Sequence, residues 1–595
     1  MGKLKEATTI TSLILYSAVF LALVLLTSLS FAQEAAPPKI DTGDTAWMLT
    51  SSALVLMMTI PGLFLFYSGL VRAKNTLGTI MHSFIIVALI SIQWVLWGYS
   101  LAFGPDKGGI IGSLAWFGLK GVGADPNPEY AATIPQQVFM VYQLMFAIIT
   151  PALITGAFAE RAKFSTFIIF ILLWATFIYD PLAHWVWGVG GWLRKLGALD
   201  FAGGTVVHIS SGVSALAAAF IFGRRVGYGR EPMPPHNLPF SIIGAALLWV
   251  GWFGFNAGSA LAASGLAGSA FVATNTATAA AVLAWVFAEW VTRRKPTVLG
   301  AASGAVAGLV AITPASGFVG PISSIIIGVG AGIFCYAACN LRAKLRYDDS
   351  LDVVGVHGIG GTWGALATGL FASVAVNPAG NNGLFFGNPG QLKVQAIAVL
   401  ATWVFAFFGT LIILSILKAI MGLRVSLERE LEGLDITQHG EVAYSGFQMI
   451  SSLGSSEMKA LEEEIEELEK RKERILTRMS SAEMGTRIHH EPSMPAKQRE
   501  RREVVEEETE YRLSAPFRIV VENVSREELR RWWEDMCYER TSERPEEFNE
   551  IFKQVKKFHD GSFLFRKGDP DEMRRKLQIV LQRFNPKFRI EVEEE

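Results

Sequence analysis

Beyond an N-terminal apolar stretch at about 13–29, eleven apolar segments of about 18–28 residues fill the chain as far as residue 420. They lie at approximately 45–71, 77–103, 136–159, 164–187, 202–222, 238–260, 267–291, 297–314, 319–341, 354–375 and 392–420. A helix rises about 1.5 Å per residue, so roughly 20 residues cross the ~30 Å of bilayer hydrocarbon. Hydrocarbon offers backbone groups no partner, which restricts such segments to helices that satisfy their own hydrogen bonds. Gly and Pro interrupt several of them, as packed membrane bundles tolerate. Small residues are dense in "SGVSALAAAF" and "GAVAGLVA", where they permit close helix approach. The expected fold class is therefore an all-α polytopic membrane protein with eleven transmembrane helices, in a membrane domain over 45–421.

Composition matters here for its uneven distribution. Charged residues make up 18% of the 595, below the soluble average of about 25%, and they concentrate after residue 420. The net charge of −1 averages two unlike pieces and identifies no partner, nucleic acid included. Cys335, Cys339 and Cys537 have neither disulfide nor zinc spacing and read as free thiols. No metal or cofactor is expected. Residues 1–32 resemble a secretory signal, with Lys3 and Lys5 ahead of the apolar stretch and Ser30-Phe31-Ala32 as a cleavage site. The alternative is an uncleaved first membrane helix.

Basic residues set the expected orientation. One set of loops carries Arg72 and Lys74, Arg161 and Lys163, Arg224, Arg225 and Arg230, Arg293, Arg294 and Lys295, and Arg342, Lys344 and Arg346; the alternate loops carry only Lys107, Lys120, Arg194 and Lys195. The first set is expected in the cytoplasm, with the mature N-terminus outside and the C-terminus inside, in a cell (inner or plasma) membrane. A cleaved signal gives the same topology. A faint repeat links spans five and ten. Asp200, His208 and Gly212 in "DFAGGTVVHISSG" have the spacing of Asp349, His357 and Gly361 in "DDSLDVVGVHGIGG". Matching segments five spans apart must run in opposite directions, the pattern of an inverted five-helix repeat.

A soluble half begins near 422. Met458, Leu461, Ile465, Leu468, Ile475 and Met479 follow a/d spacing, broken by Lys472, so 457–480 reads as a short coiled coil or an amphipathic surface helix. Residues 481–514 read as a linker. Residues 515–595 suggest a small α+β domain in the order β-α-α-β-α-β. "FRIVVE", "GSFLF" and "FRIEVE" are its strands, Ser525 with Glu528 caps one helix, and Asp569-Pro570 opens another. No P-loop, kinase or metal motif lies in it, and no catalytic constellation supports an enzyme.

The chemistry concentrates in the spans. His208 and His357 are ionisable groups in apolar segments, where such groups usually face a pore or a partner. Asp200, at the outer end of span five, reads as a helix cap as well as a functional carboxylate. Phe146, Trp187, Trp252, Phe253 and Phe255 crowd the outer ends of their spans. Each alone is consistent with an interfacial aromatic belt.

Taken together, "DFAGGTVVHI", "GWFGFNAGSA", "PHNLP", "GAVAGLV", "DVVGVHGIGG" and "GLRVSLERELEGLDITQHGEVAY" resemble the ammonium transporter (Amt) family of bacteria and archaea over about 45–444. The resemblance implies a homotrimer with one pore per subunit, a substrate of ammonium or ammonia (methylammonium also), and nitrogen uptake. It implies a cytoplasmic tail at 422–446 that packs beneath neighbouring subunits, with PII-type proteins as partners. It places Phe146, Trp187, Ser259 and Asp200 in substrate recruitment, Phe146 and Phe255 in a phenyl gate, and His208 and His357 in the pore beside Trp252. Tyr142 stands where Phe is common, which would lengthen the polar outer vestibule. The resemblance ends near 446, so the C-terminal domain inherits nothing from it.

Those residue types suit the substrate. Ammonium matches potassium in size and charge but donates hydrogen bonds and can lose a proton. Aromatic faces hold a cation at roughly 0.5–2 kcal/mol each. An intact cation would be costly in an apolar pore, and releasing the proton avoids that cost. Neutral imidazoles can then hydrogen-bond ammonia. A sensor that signals through 515–595 is the alternative from another functional class.

Overall fold

The computed structural model describes residues 39–345 and 347–444, and four strands between 517 and 593. The expected signal peptide, coiled coil and linker lie outside the described residues, as do the expected C-terminal helices. The helices are α1 (Thr42–Leu70), α2 (Ala73–Phe103), α3 (Gln136–Phe158), α4 (Phe164–Leu196), α5 (Gly204–Phe222), α6 (Leu238–Ala260), α7 (Gly265–Arg293), α8 (Val298–Ile312), α9 (Pro321–Leu345), α10 (354–371) and α11 (Pro389–Met421). A short α12 (Leu427–Glu432) follows.

Among the described residues, nine helices are long and apolar enough to cross a membrane, so the chain is a multi-pass membrane protein. Two of the eleven expected spans differ from this standard. α8 is apolar but has only 15 residues. α10 is helical, but its glycines and threonines lower its hydropathy and it is not among the nine. Burial separates the centre from the rim. The apolar stretch of α3 is 94% buried and that of α5 83%, against 33% for α9 and α11.

π-helical turns occur in α1 (Met58–Leu63), α2 (Trp94–Gly98) and α4 (Ala175–Tyr179), and open α5 (Gly204–Ile209) and α10 (Val354–Ile359). Such turns insert a residue and often mark functional positions. The Asp–His–Gly spacing seen in sequence has matching structural roles in α5 and α10. Asp200 accepts hydrogen bonds from the first N–H groups of α5, and Asp349 Oδ2 accepts from Val354 N at 2.8 Å. Each histidine lies within the π turn that follows. The glycines then permit the helices to cross: a Cβ on Gly212 would overlap the backbone of Gly358, and one on Gly361 would lie 3.0 Å from His208 Cβ.

On the basic-loop side, charges counted as topology signals are built into a buried network. Arg225 bridges Glu160 (2.6 Å) and Asp348 (2.8 Å), while Arg72 Nε reaches Glu160 at 3.0 Å. Arg161 donates to the carbonyls of Ala157 (2.8 Å) and Asp348 (2.7 Å). Four loops are thereby tied together. The tail is fastened to the same side. Asp435 accepts from Leu77 N (3.0 Å) and Gly78 N (2.8 Å), capping α2 from a distance in sequence. Glu430 accepts from Val226 N at 2.7 Å and pairs with Arg424.

On the opposite side a small hairpin joins β1 (Asp106–Lys107) and β2 (Ile111–Gly112). A separate compact unit spans 461–595. Its strands are β3 (Phe517–Glu522), β4 (Val555–His559), β5 (Ser562–Phe565) and β6 (Arg589–Glu593), all antiparallel in the order β4-β5-β3-β6. The expected three strands thus become four. β4, "VKKFH", was hidden by its paired lysines and by a bulge between Val555 and Lys557. His559 pairs with Ser562 across Asp560-Gly561, a dipeptide that favours two-residue hairpins.

Arg225 should be the most sensitive position of the charge network. Burial opposes ionisation of Glu160, but Arg225 and Arg72 overcome it and hold the carboxyl down at about 2. A depressed folded value stabilises the fold above the ordinary value of 4.5, and that stability is lost as pH falls through about 2. Arg225→Met leaves Glu160 and Asp348 short of a partner and should cost about 3–5 kcal/mol. Detergent melting curves against pH check this. The variant should melt well below the parent at pH 7, and the difference should shrink towards acid, where the carboxylates become neutral.

Candidate functional site

Three cavities follow one another through the bundle; the inner two share Phe66, Val306 and His357, and the Phe146–Phe255 stack separates the outer one from them. The outer one, on the side of the β1–β2 hairpin, has about 260 Å³ of room and is lined by Phe146, Trp187, Asp200, Phe201, Ser259 and Arg194, among others. The middle one has about 10 Å³, close to what a single water-sized molecule needs. The inner one has about 210 Å³ and includes Arg342, Ser350, Asp352 and His357. The passage is therefore widest at its mouths and closed to hydrated ions at its centre.

At the outer mouth, Trp187 and Phe146 meet edge to face with centroids 5.7 Å apart. Phe146 in turn stacks on Phe255 at 4.2 Å, closing the floor. Trp187 is held from both ends: its Nε1 donates to the Asp200 carbonyl at 2.9 Å, and its own carbonyl accepts from Arg194 at 2.6 Å. Ser259 donates to the Phe255 carbonyl at 2.9 Å, which commits its proton and leaves oxygen lone pairs on a half-buried hydroxyl. Such a hydroxyl accepts hydrogen bonds from a donor cation.

Tyr142 does not extend the vestibule. It is fully buried, and its hydroxyl lies 3.0 Å from the Gly254 carbonyl, 2.8 Å from that of Phe255 and 3.2 Å from Ser259 Oγ. The hydroxyl is therefore internal, fixing the end of α6 that carries Ser259 and Phe255. Sequence reasoning noticed the residue but could not show which way it faced.

The Asp200 carboxylate is occupied. It accepts from the N–H groups of Gly203 (2.8 Å), Gly204 (2.6 Å), Thr205 (2.8 Å) and Val206 (3.3 Å), and from the Thr205 hydroxyl. It caps α5 and faces the outer cavity, but this donor set leaves it little capacity to accept from a ligand. Its backbone carbonyl orients Trp187. The helix-cap reading of the sequence thus describes the geometry directly.

In the middle region, His208 and His357 bring their Nδ1 atoms to 3.2 Å, with ring centroids 5.3 Å apart and planes 28° from parallel. Facing nitrogens at this distance share one proton, so one ring donates and the other accepts. His208 Nε2 is buried with no hydrogen-bond partner, a costly state unless a passing molecule supplies one. Trp252 stacks 5.5 Å from His208, and its Nε1 donates to Thr313 Oγ1 at 2.9 Å. Its indole thus acts as a wall, with its polar edge turned away. Thr313 lies on the α8 side and had no sequence signal. The remaining lining is aliphatic or phenyl, from residues such as Met58, Leu63, Ile149, Leu153 and Val306.

The structure therefore brings Phe146, Trp187, Asp200 and Ser259 to one outer chamber, and His208, His357, Trp252 and Phe255 to one constriction below it. Phe253 is separate and stacks on Phe271 at 3.8 Å. Asp352 and Arg342, which line the inner mouth with charges 3.2 Å apart, were not singled out from sequence as site residues. Their only sequence signal was proximity to the second histidine motif.

The family profile described as Ammonium Transporter Family matches residues 46–444. An ammonium transporter of Bacillus subtilis is 54% identical over 403 residues, 68% of this chain and 98% of the relative. Ammonium transporter Amt1 of Archaeoglobus fulgidus is 51% identical over 403 residues, 68% of this chain and 99% of its own length. Among solved structures, Mep2 of Candida albicans superposes with a TM-score of 0.63 at 38% identity, over 68% of this chain and 91% of that one. A structure titled Sensor Amt Protein gives 0.62 at 30% identity, over 67% and 98%. On the profile match and these near full-length relatives, the chain belongs to the Ammonium Transporter Family.

Proposed function

We propose that the protein moves ammonium across the membrane by taking the ion at the outer chamber, releasing its proton to water there or to the neutral imidazoles, and passing ammonia, with or without that proton, along the His208–His357 pair. The observation that carries this is the Nδ1–Nδ1 contact of 3.2 Å within an otherwise apolar constriction. In this reading Trp187, Phe146 and Ser259 hold the cation. Phe146 and Phe255 must part to admit it. Asp200 acts through its position, holding Trp187 and the first turn of α5. The neutral imidazole pair offers one acceptor and one donor to ammonia, whereas potassium has no proton to release and meets a desolvation barrier.

The wider reading includes eleven membrane helices arranged as an inverted repeat, with α8 as the short span and α10 as the less apolar one. It also includes a homotrimer with the basic loops and C-terminus in the cytoplasm, and a cleaved signal at 1–32. A PII-type protein would dock against the inner face, and the domain at 515–595 would have a regulatory role. Truncation after Tyr444 should change transport rate or PII-type binding; equal behaviour on both measures would remove that role. The alternative is an ammonium sensor signalling through 515–595, favoured by the separateness of the unit 461–595 that contains it. Uptake by reconstituted full-length protein decides between them.

Side-by-side potassium and ammonium fluxes in proteoliposomes test the pore. His208→Leu and His357→Leu should each lower net ammonium transport by on the order of 10²-fold, the usual contribution of a positioned acid or base. Replacement by Glu should admit potassium with little change in expression. Apolar variants that carry ammonium at the parental rate and still exclude potassium would make both histidines structural.

Tyr142 gives an independent test of the outer chamber. Tyr142→Phe removes hydrogen bonds that fix Ser259, worth about 0.5–1.5 kcal/mol. The half-saturation concentration for ammonium should rise about 2- to 10-fold with the maximal rate unchanged. An equal fall in maximal rate would instead place Tyr142 in the gate.

A further inference from the structure

Among the described strands, the C-terminal sheet ends at β4 on one side and at β6 on the other. Open edges carry unpaired N–H and C=O groups and can pair with another chain. The register shows what each edge would offer. One row across all four strands reads Phe558, Phe563, Ile519, Val592. A row on the other face reads Lys557, Leu564, Arg518, Glu593, and beside it lies His559, Ser562, Val520, Glu591. The polar rows therefore run from basic at the β4 edge to acidic at the β6 edge, while the apolar row begins and ends apolar. Lys556 adds to the first edge and Glu594 with Glu595 follow the second.

Strand direction makes the two edges compatible. β3 is antiparallel to β5 and β6, and β4 is antiparallel to β5, so β4 and β6 run in opposite senses. A second sheet placed alongside in the same plane continues the antiparallel pattern when its β4 lies beside β6 of the first. That joint aligns apolar with apolar positions and lysine with glutamate. The like-edge joints that keep the apolar row aligned do not: β6 on β6 sets Glu591 against Glu593, a destabilising like-charge opposition, and β4 on β4 sets Lys557 against His559, which forms no ion pair.

We propose that residues 515–595 are an assembly module in which β4 of one copy pairs edge to edge with β6 of the next. The partner is a second copy of this chain. Such a head-to-tail interface must close into a ring or continue indefinitely. Closure at three rests on the trimer reading given above, because the membrane unit then fixes the number of tethered copies and supplies a high effective concentration. It would use both edges of every sheet.

The test uses two differently tagged full-length chains co-expressed in membranes, each with Cys537→Ser. One carries Lys557→Cys and the other Glu591→Cys or Glu593→Cys. Within one copy these edges are three strand spacings apart, about 14 Å, beyond the ~4.4–6.8 Å reach of a disulfide. Oxidation should give a mixed-tag crosslink exceeding that of either site with itself. A second pair directly opposed in this joint, Phe558→Cys with Val592→Cys, reports the charge term. Glu591→Lys with Glu593→Lys on the β6 partner should lower its yield at least about 3-fold, and Lys556→Glu with Lys557→Glu on the β4 partner should restore it. Like-site crosslinks equal to or above mixed ones, or no mixed crosslink at any pair, would overturn the proposal. The mass of the uncrosslinked protein in detergent tests the trimer separately. A trimer without mixed crosslinks defeats only the edge pairing, and mixed crosslinks in an assembly of another size defeat only closure at three.

Discussion

A helix that begins inside a membrane bundle must find partners for its first N–H groups, because neither water nor lipid supplies them. In α5 this is met by one carboxylate, Asp200, and in α10 by Asp349. Much of the passage depends on these two caps. They fix where each helix starts, and therefore where His208 and His357, eight residues further on, come to lie. The π turns between cap and histidine set the rings toward each other, and Gly212 and Gly361 let the helices come close enough for a 3.2 Å contact. Replacing a carboxylate would thus unfasten a turn of backbone together with the geometry of the pore. This is why a defect at Asp200 would not by itself identify it as a proton acceptor.

The same economy of polar groups explains the outer chamber. Trp187, Ser259, Tyr142 and Trp252 each have their proton committed to a carbonyl or a hydroxyl of the protein. What remains turned to the passage is π-surface and lone pairs, a lining suited to a cation that donates hydrogen bonds and poorly suited to an anion or an acceptor. Below the chamber the stacked Phe146–Phe255 pair admits nothing without moving. The first free polar atom beyond it is His208 Nε2. In the proposed reading, recognition above and proton handling below are separated by this apolar layer, and a species crossing it uncharged avoids the desolvation cost.

The sequence was legible where residue chemistry conflicted with its surroundings. Histidine in an apolar span, an Asp–His–Gly spacing used twice, and aromatics gathered at one end of the spans each pointed to the passage before any coordinates. It was illegible where the deciding quantity was direction. Tyr142 looked like a vestibule residue and faces inward; Thr313 holds Trp252 from a helix distant in sequence. Of the eleven apolar spans read from the sequence, nine are helices long and apolar enough to cross a membrane among the described residues; α8 is short, and α10 is less apolar because it carries glycines that allow close packing and His357, which lines the constriction. β4 was missed because two lysines and a bulge break the alternation by which a strand is recognised in sequence.

The basic loops connect these ideas to the tail. Arg and Lys near helix ends are read as topology signals, which suggests solvated charges. Here Arg225 and Arg161 are buried; Glu160 and Asp348 pair with Arg225, backbone carbonyls hold Arg161, and these bonds with Arg72 join the loops after α1, α3, α5 and α9. The tail adds Glu430 and Asp435 to that surface, one bonded to the loop after α5 and the other to the start of α2. Asp349 follows Asp348 directly, so the network that binds the tail adjoins the cap that positions His357. A displacement of the tail therefore has a short, bonded route to the inner half of the histidine pair: Glu430 to the loop of Arg225, Arg225 to Asp348, and Asp348 through one peptide bond to the Asp349 cap. The membrane unit thus contains the connection that a regulatory domain attached beyond Tyr444 would need.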